Sequence, residues 1–527
     1  MTIANTSPQS LRIVVIGAGM AGILAAIRLR EAGKHQVVVY EKAERVGGTW
    51  RENTYPGLAC DVPAHAYTYS FAPNAEWSSY LAPGPEIQRY FEAVAQQYAL
   101  DKVIQFGQEV VRCELKDDRW ELETASGLID HADVVIAATG VLHHPSMPEL
   151  PGLDSFAGPS FHSAQWDHSV ALDGKRIGII GSGSTGVQIV SALAGRASKL
   201  IHIQRTPQWI MPVPNTPYSE EQKAAFRADP ALIDDIRYAE TYTSAVNRFT
   251  EAIIDQDSPQ IREIEDICRQ NLEGSVKDPV LREKLRPNYR AACKRLIYSS
   301  DYYEKVQRPD VAVAIGPIQH IEPEGVRMAD GTLQEVDVLV LATGFHADRF
   351  VRPMRVIGRN GTDLDARWSP APSAYLGITV PGLPNFFLLN GPTGPVGNFS
   401  LIDIAERQWN YIEHLLADIE AGKCRQVDLK EEAMQAYDLR RIAAARKTIF
   451  GSGCSSWYLD ATGVPASWPW SYDAFAEQTS APKNEDYEYI VGPAEFTRAL
   501  PPTRNSADPN RIVNDQCPFS IGIGNRH

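Results

Sequence analysis

Twice in this chain a short valine- and isoleucine-rich strand runs straight into a glycine-rich turn and then into a helix. Residues 11–16 (LRIVVI) read as a buried strand and lead into Gly17-Ala-Gly-Met-Ala-Gly22. A helix follows from about Ala21 to Ala32, then a strand over 36–41 (QVVVYE). The second unit opens at Lys175 with RIGII, continues through Gly181-Ser-Gly-Ser-Thr-Gly186 into a helix, and reaches the strand LIHIQ near 200–204. In such a turn the first glycine permits the tight bend. The second lets a pyrophosphate approach the backbone, and the third lets helix and strand pack closely. The helix then presents free N–H groups and the positive end of its dipole to the phosphates. Each βαβ unit is expected to cross over right-handed. Two later segments, DVVIAATG (133–140) and DVLVLATG (337–344), are apolar and end alike in Ala-Thr-Gly. The first should close the first unit and the second the other.

The fold class that follows is α/β, with two Rossmann-like dinucleotide-binding domains and a helical insertion. A length of 527 residues leaves room for about three domains. The first nucleotide domain is expected to be discontinuous, over 1–145 and 345–480. The second covers 146–215 and 291–344. Between them, 216–290 has charged segments of helical period and reads as the insertion. Residues 481–527, rich in Pro, Asn and Asp, read as an extended C-terminal tail that wraps the body or stays mobile. A helical stretch is also expected from Ile402 through about Glu420.

The residues at the ends of the second strands distinguish the two sites. Glu41 lies 19 residues after Gly22, where a carboxylate would hold ribose hydroxyls. With an N-terminal position, this points to FAD. The second site ends in Gln204-Arg205-Thr206. An acid there would repel a 2′-phosphate, whereas Arg205 would pair with it and Thr206 could donate to it. NADPH is therefore expected, with Lys294 as a second phosphate partner. The cofactor contacts expected in the two turns are Gly17, Gly19, Gly22, Gly181, Gly183, Ser184, Thr185 and Gly186.

The stretch Phe156-Ala-Gly-Pro-Ser-Phe-His-Ser-Ala-Gln-Trp-Asp167 resembles the fingerprint of type I Baeyer–Villiger monooxygenases, FxGxxxHxxxW followed by Pro or Asp. Phe156, Gly158, His162, Trp166 and Asp167 fill its fixed places. Gly47-Gly48-Thr49-Trp50, continuing through Tyr55-Pro-Gly57 to Asp61, is similar to the family's other signature. The resemblance covers about residues 10–470. It implies that Gly48, Thr49 and Trp50 lie against the flavin and that His162 on its linker couples movements of the two nucleotide domains. The family's catalytic arginine stands shortly before an Asp-Tyr-Tyr segment, and Cys293-Lys-Arg-Leu-Ile-Tyr-Ser-Ser-Asp-Tyr-Tyr303 points to Arg295. The partner carboxylate implied is Asp61. Ser456-Trp457-Tyr458 resembles a segment whose tryptophan touches the nicotinamide nucleotide and borders the substrate, which makes Trp457 a contact. The text around it, and the loop from Asn390 to Asn398, depart from cyclohexanone-type members and leave substrate preference open. The activity implied is conversion of a ketone to an ester or lactone with O2, through a C4a-peroxyflavin. A fixed cation suits that chemistry, because it stabilises the anion that attacks and the oxyanion that results.

The nearest rival is a flavin N- or S-monooxygenase, which shares both sites but carries Tyr or Phe at Trp166 and has no need of Arg295. A disulfide reductase would need a cysteine pair near the flavin, and Cys60 stands alone there. A sensor that merely binds FAD would not need two complete sites. A net charge of −14 argues against nucleic-acid or anionic-membrane partners. The longest apolar runs fall well below the roughly 18 residues that span a bilayer. The polar N-terminus lacks a signal peptide's apolar centre. The seven cysteines form no CxxC pair, so the expectation is a reduced cytoplasmic chain with no disulfide framework and no metal site.

Overall fold

The computed structural model describes residues 10–238, 245–369, 371–395, 399–454 and 456–491. Its architecture rests on two parallel five-stranded sheets. In the first, Arg12–Ile16 lies at the centre, between Gln36–Tyr40 and Val134–Ala137. Ile104–Gln105 and Phe386–Leu388 form the outer edges. In the second, Arg176–Ile180 pairs with Lys199–Gln204 on one side and Val338–Leu341 on the other. Val311–Ile315 and Ser160–His162 lie outside them. Each Ala-Thr-Gly strand thus closes its own unit, as expected.

Both faces of each sheet are buried, which is why the strands are continuously apolar rather than alternating. Side chains of period two divide between two cores. Ile13, Val15, Val39 and Ile136 face the helix Met20–Ala32, while Val14, Ile16, Val38 and Val135 face a sheet that carries Trp120 and Leu122. In the second sheet Ile177, Ile179, Val338 and Val340 divide in the same way from Ile180, Ile201, Leu339 and Leu341. The chain passes between the sheets along two adjacent segments bridged at Pro145 and Phe345. Ser146 N–H donates to Gly344 O at 2.9 Å, and His346 N–H to His144 O at 2.9 Å.

The expected insertion contains helices Glu220–Ala228, Ala231–Tyr238, Ala245–Ile254, Pro259–Ser275 and Pro279–Lys284. Pro259–Ser275 starts with Ser258 as its N-cap and Pro259 in its first turn, a sequence-coded beginning. Its stripe of Ile261, Ile264 and Cys268 packs with Cys293, Leu296, Phe450 and Tyr458 in one cluster. That cluster lies under the segment bearing Arg295. Leu401–Glu420 is the helix expected there. Among the described residues no helix is long and apolar enough to cross a membrane.

One expectation needs correction. The cysteines are not all thiols, because Cys293 and Cys454 form a disulfide, with Cα atoms 6.3 Å apart. A 161-residue separation hides such a pair from any reading of local spacing. The part of the expected C-terminal tail that is described lies against the body. Tyr487–Ile490 pairs antiparallel with Gln426–Leu429, and Tyr487 is buried. The remainder of that tail, 492–527, lies outside the described residues.

Candidate functional site

Both glycine turns open into one cavity of about 1110 Å³. Gly17 has φ +99°, and a Cβ there would sit 2.7 Å from Ala138 O. Gly22 does not reach the cavity; a Cβ on it would lie 1.8 Å from Gly17 O, so its role is helix-to-turn packing. The second turn repeats this, with Gly181 at φ +122° and a Gly186 Cβ falling 2.0 Å from Gly181 O. The helices behind them, Met20–Ala32 and Ser184–Leu193, have Gly19 and Gly183 as N-caps. Neither has a side-chain cap or an acidic residue in its first turn. Their first N–H groups are thus left for a ligand's phosphates. Gly19 and Gly48 face each other so closely that a Cβ on Gly48 would lie 3.1 Å from Gly19 Cα, and both line the cavity.

Glu41 is 4% exposed and lines the same cavity. Its carboxylate accepts from Ala18 N–H at 2.7 Å and Ala43 N–H at 2.9 Å, and pairs with Arg51 at 3.1 Å. These contacts fix the group at the strand end and still leave lone pairs for ribose hydroxyls. Arg51 is a partner that the sequence reading missed, although it lies one residue beyond the quoted Gly-Gly-Thr-Trp.

At the second site Arg205, Thr206 and Lys294 line the cavity. Lys294 Nζ donates to Thr206 Oγ1 at 3.1 Å and lies 4.5 Å from the Tyr289 ring centroid. Burial lowers the Lys294 pKa, and the charge of Arg205 lowers it further. No carboxylate is among the groups that shift Lys294. Two like charges close enough to shift one another form a site that an anion would relieve.

Arg295 and Asp61 meet as expected. Arg295 Nη2 lies 2.7 Å from Asp61 Oδ2, with side chains 26% and 20% exposed, and both line the cavity. Burial works against the Arg295 charge, but the Asp61 carboxylate and the Tyr458 hydroxyl outweigh it and hold the pKa above the ordinary arginine value. The Tyr55-Pro-Gly57 segment explains how Asp61 is placed. Tyr55 donates to Gln188 Oε1 at 2.9 Å, Gln188 Nε2 donates to Ala59 O at 3.0 Å, and a Cβ on Gly57 would lie 2.5 Å from Gln188 O. Gln188 lies on the helix of the second glycine turn, so this signature links the two nucleotide units beside the arginine.

Thr49, Trp50, Ser184, Thr185 and Trp457 also line the cavity. Trp50 Nε1–H donates to Tyr67 at 3.1 Å. Trp457 is 47% exposed and stacks on Tyr458 at 4.1 Å, so it is not a core residue. The linker fingerprint lies away from the cavity. His162 pairs across from Leu341 at the edge of the second sheet, and its Nδ1 accepts from Ala164 N–H at 3.1 Å. Burial lowers its pKa, partly offset by a hydrogen bond to the Gly344 backbone. Trp166 packs edge-on to Phe161 at 5.1 Å, Phe156 packs on the second core, and a Cβ on Gly158 would strike Asp337 O. Cys60 lines the cavity, but burial and the Asp61 charge raise its pKa and keep it a thiol. Neither Cys293 nor Cys454 lines the cavity, so the disulfide is not a reductase's flavin-facing pair.

The flavin-binding monooxygenase-like family matches residues 10–222. The chain is 44% identical over 461 residues to an uncharacterised monooxygenase of Mycobacterium tuberculosis, covering 87% of this chain and 92% of that one. It is 37% identical over 494 residues to a Baeyer–Villiger monooxygenase of Streptomyces coelicolor, covering 92% and 93%. Its fold is similar to that of a cyclohexanone monooxygenase from Rhodococcus bound to NADP+. The TM-score is 0.80 at 30% identity, over 92% of this chain and all of the other.

Proposed function

The chain belongs to the Baeyer–Villiger monooxygenases, flavoproteins that use FAD and NADPH, and from that premise we propose which of its residues carry the reaction. The overall conversion is a ketone, O2, NADPH and a proton going to an ester or lactone, water and NADP+. Bound FAD supplies acceptance of the nicotinamide hydride and activation of O2.

The chain's own groups bind, orient and stabilise. The turn at Gly17 and Gly19, with Glu41 and the Gly48-Thr49-Trp50 segment, holds FAD. The uncapped helix end at Gly183, with Ser184 and Thr185, takes the NADPH pyrophosphate, and Arg205, Thr206 and Lys294 take its 2′-phosphate. Arg295 presents fixed positive charge where the ketone oxygen becomes an oxyanion, and Asp61 orients it. Trp457 covers the nicotinamide and the substrate. The Phe156, Gly158, His162 and Trp166 linker acts at a distance, by setting how the two nucleotide units move.

The observation that carries this reading is the 2.7 Å Arg295–Asp61 pair in the cavity shared by both glycine turns. An N- or S-oxygenating flavoprotein has no use for such a cation. NADPH consumption with a panel of cyclic, linear and aryl ketones, with products identified by mass, tests it. Products 16 mass units heavier than the ketone, with ester fragmentation, support the reading. Oxidation of amines or sulfides alone would refute it.

A further inference from the structure

The two glycine turns are alike, but the strands beneath them differ at one place. In the first unit the residue paired with Val15 is Val39, a buried hydrocarbon. In the second unit the residue at the same place, paired with Ile179, is His202, which is equally buried. Its Nε2 lies 2.9 Å from Gly181 O, the carbonyl of the turn's first glycine. A carbonyl can only accept, so Nε2 carries the proton and donates. Nδ1 is then the acceptor of a neutral imidazole, and burial, which pushes the His202 pKa down to about 4, keeps the ring neutral. The Tyr302 hydroxyl donates to Nδ1 at 2.9 Å, and Gln204 Nε2 donates to that hydroxyl oxygen at 2.7 Å. These bonds form one directed chain, from Gln204 through Tyr302 and His202 to Gly181, in which each strengthens the next. Gly186 makes room for it: a Cβ there would lie 3.3 Å from His202 Nε2.

We propose that His202 is a positioning residue for the nicotinamide nucleotide: by holding Gly181 O from behind, it fixes the turn whose N–H groups meet the pyrophosphate. This rests on the reading of the Gly181 to Gly186 turn as the NADPH site. His202, Tyr302 and Gln204 do not line the cavity, so their effect passes through the turn rather than through contact with the nucleotide. The first unit shows that a βαβ fold can do without the device, since Val39 fills the same place there. A buried polar chain carries a desolvation cost that a valine avoids. Here one end of the chain is the glycine turn and the other is Gln204, the residue before Arg205, so the network ties the pyrophosphate turn to the strand end that takes the 2′-phosphate.

Calorimetric titration of the FAD-loaded enzyme with NADP+ tests this in His202→Leu, His202→Gln and Gly183→Ala, each well below its melting temperature. In His202→Leu the FAD content and flavin spectrum should match the wild type, because the first turn takes no part. The Kd for NADP+ should rise about tenfold, as expected when a buried carbonyl loses its hydrogen bond. The KM for NADPH should rise in step while kcat changes little. His202→Gln can place an amide N–H near the position of Nε2 and should recover most of the affinity. Wild-type NADP+ affinity in His202→Leu, with Gly183→Ala weakened, would overturn the proposal alone, as would a glutamine variant no better than the leucine one. Wild-type NADP+ affinity in Gly183→Ala would overturn the reading beneath it. Should His202→Leu fail to fold, Tyr302→Phe decides, since it keeps the ring and removes only the donor to Nδ1. Its NADP+ affinity should fall about threefold, and an unchanged affinity overturns the proposal.

Discussion

Arg205 and Lys294 both line the cavity, and the charge of Arg205 adds to burial in shifting how Lys294 titrates. Arg205→Ala should raise the KM for NADPH about tenfold or more while leaving NADH nearly unaffected, because only NADPH offers a phosphate to a charged donor. Steady-state kinetics with both nucleotides checks this, and equal effects would remove the 2′-phosphate role. The Lys294 pKa is lowered by burial and by Arg205. The ammonium is the form that binds phosphate, and it is present below that pKa and lost above it. NADPH affinity should therefore weaken as pH rises into the alkaline range below the ordinary lysine value. Lys294→Arg should flatten that dependence in fluorescence titrations. A pH-independent wild-type affinity across that range would contradict the assignment.

At the scale of elements, the glycine turns separate fold from binding. A Cβ on Gly186 would lie 2.0 Å from Gly181 O, whereas a Cβ on Gly183 would meet nothing within 4 Å. Gly186→Ala should therefore destabilise the protein by about 2 kcal/mol or more through overpacking. Gly183→Ala should keep the wild-type melting temperature and lose NADPH affinity, since its methyl group would project where the pyrophosphate lies. Calorimetry with nucleotide titration distinguishes the two; equal melting losses would show that the turn is only structural. The disulfide makes a further prediction. Denatured protein should show two fewer reactive thiols before reduction than after, and Cys454→Ser should cost about 2–4 kcal/mol, as removal of such crosslinks does. An unchanged thiol count would mean that the bond does not form.

The sequence revealed these elements unevenly, for physical reasons. The turns, Glu41 and Arg205 were readable because a βαβ unit places its ligand contacts at fixed local offsets. The Arg295–Asp61 pair spans 234 residues and came only from the family resemblance. The Cys293–Cys454 bond joins segments 161 residues apart, and no local pattern encodes it. Tyr487–Ile490 has a charged residue in a four-residue strand and borrows its stability from Gln426–Leu429, so its composition read as tail.

Across the whole molecule, the design is two nucleotide-binding sheets facing one cavity, joined by paired crossings near Pro145 and Phe345 and by the Tyr55–Gln188–Ala59 contacts. The joint that relates the two sheets is therefore also the joint that places Asp61. Under the role proposed for the linker residues, which lie outside the cavity, a change in sheet-to-sheet geometry would move the carboxylate that pairs with the arginine. Trp166→Ala should accordingly lower the ratio of ester formed to NADPH consumed more than it lowers flavin reduction. Equal losses in both would assign the fingerprint to stability alone.

The most direct test of the account separates the two half-reactions in Arg295→Ala. Rapid mixing with NADPH should bleach the flavin at close to the wild-type rate, and subsequent mixing with O2 and a ketone that the wild-type enzyme accepts should give no ester. Ester produced by that variant at the wild-type rate would contradict the claim that this guanidinium supports oxygen insertion.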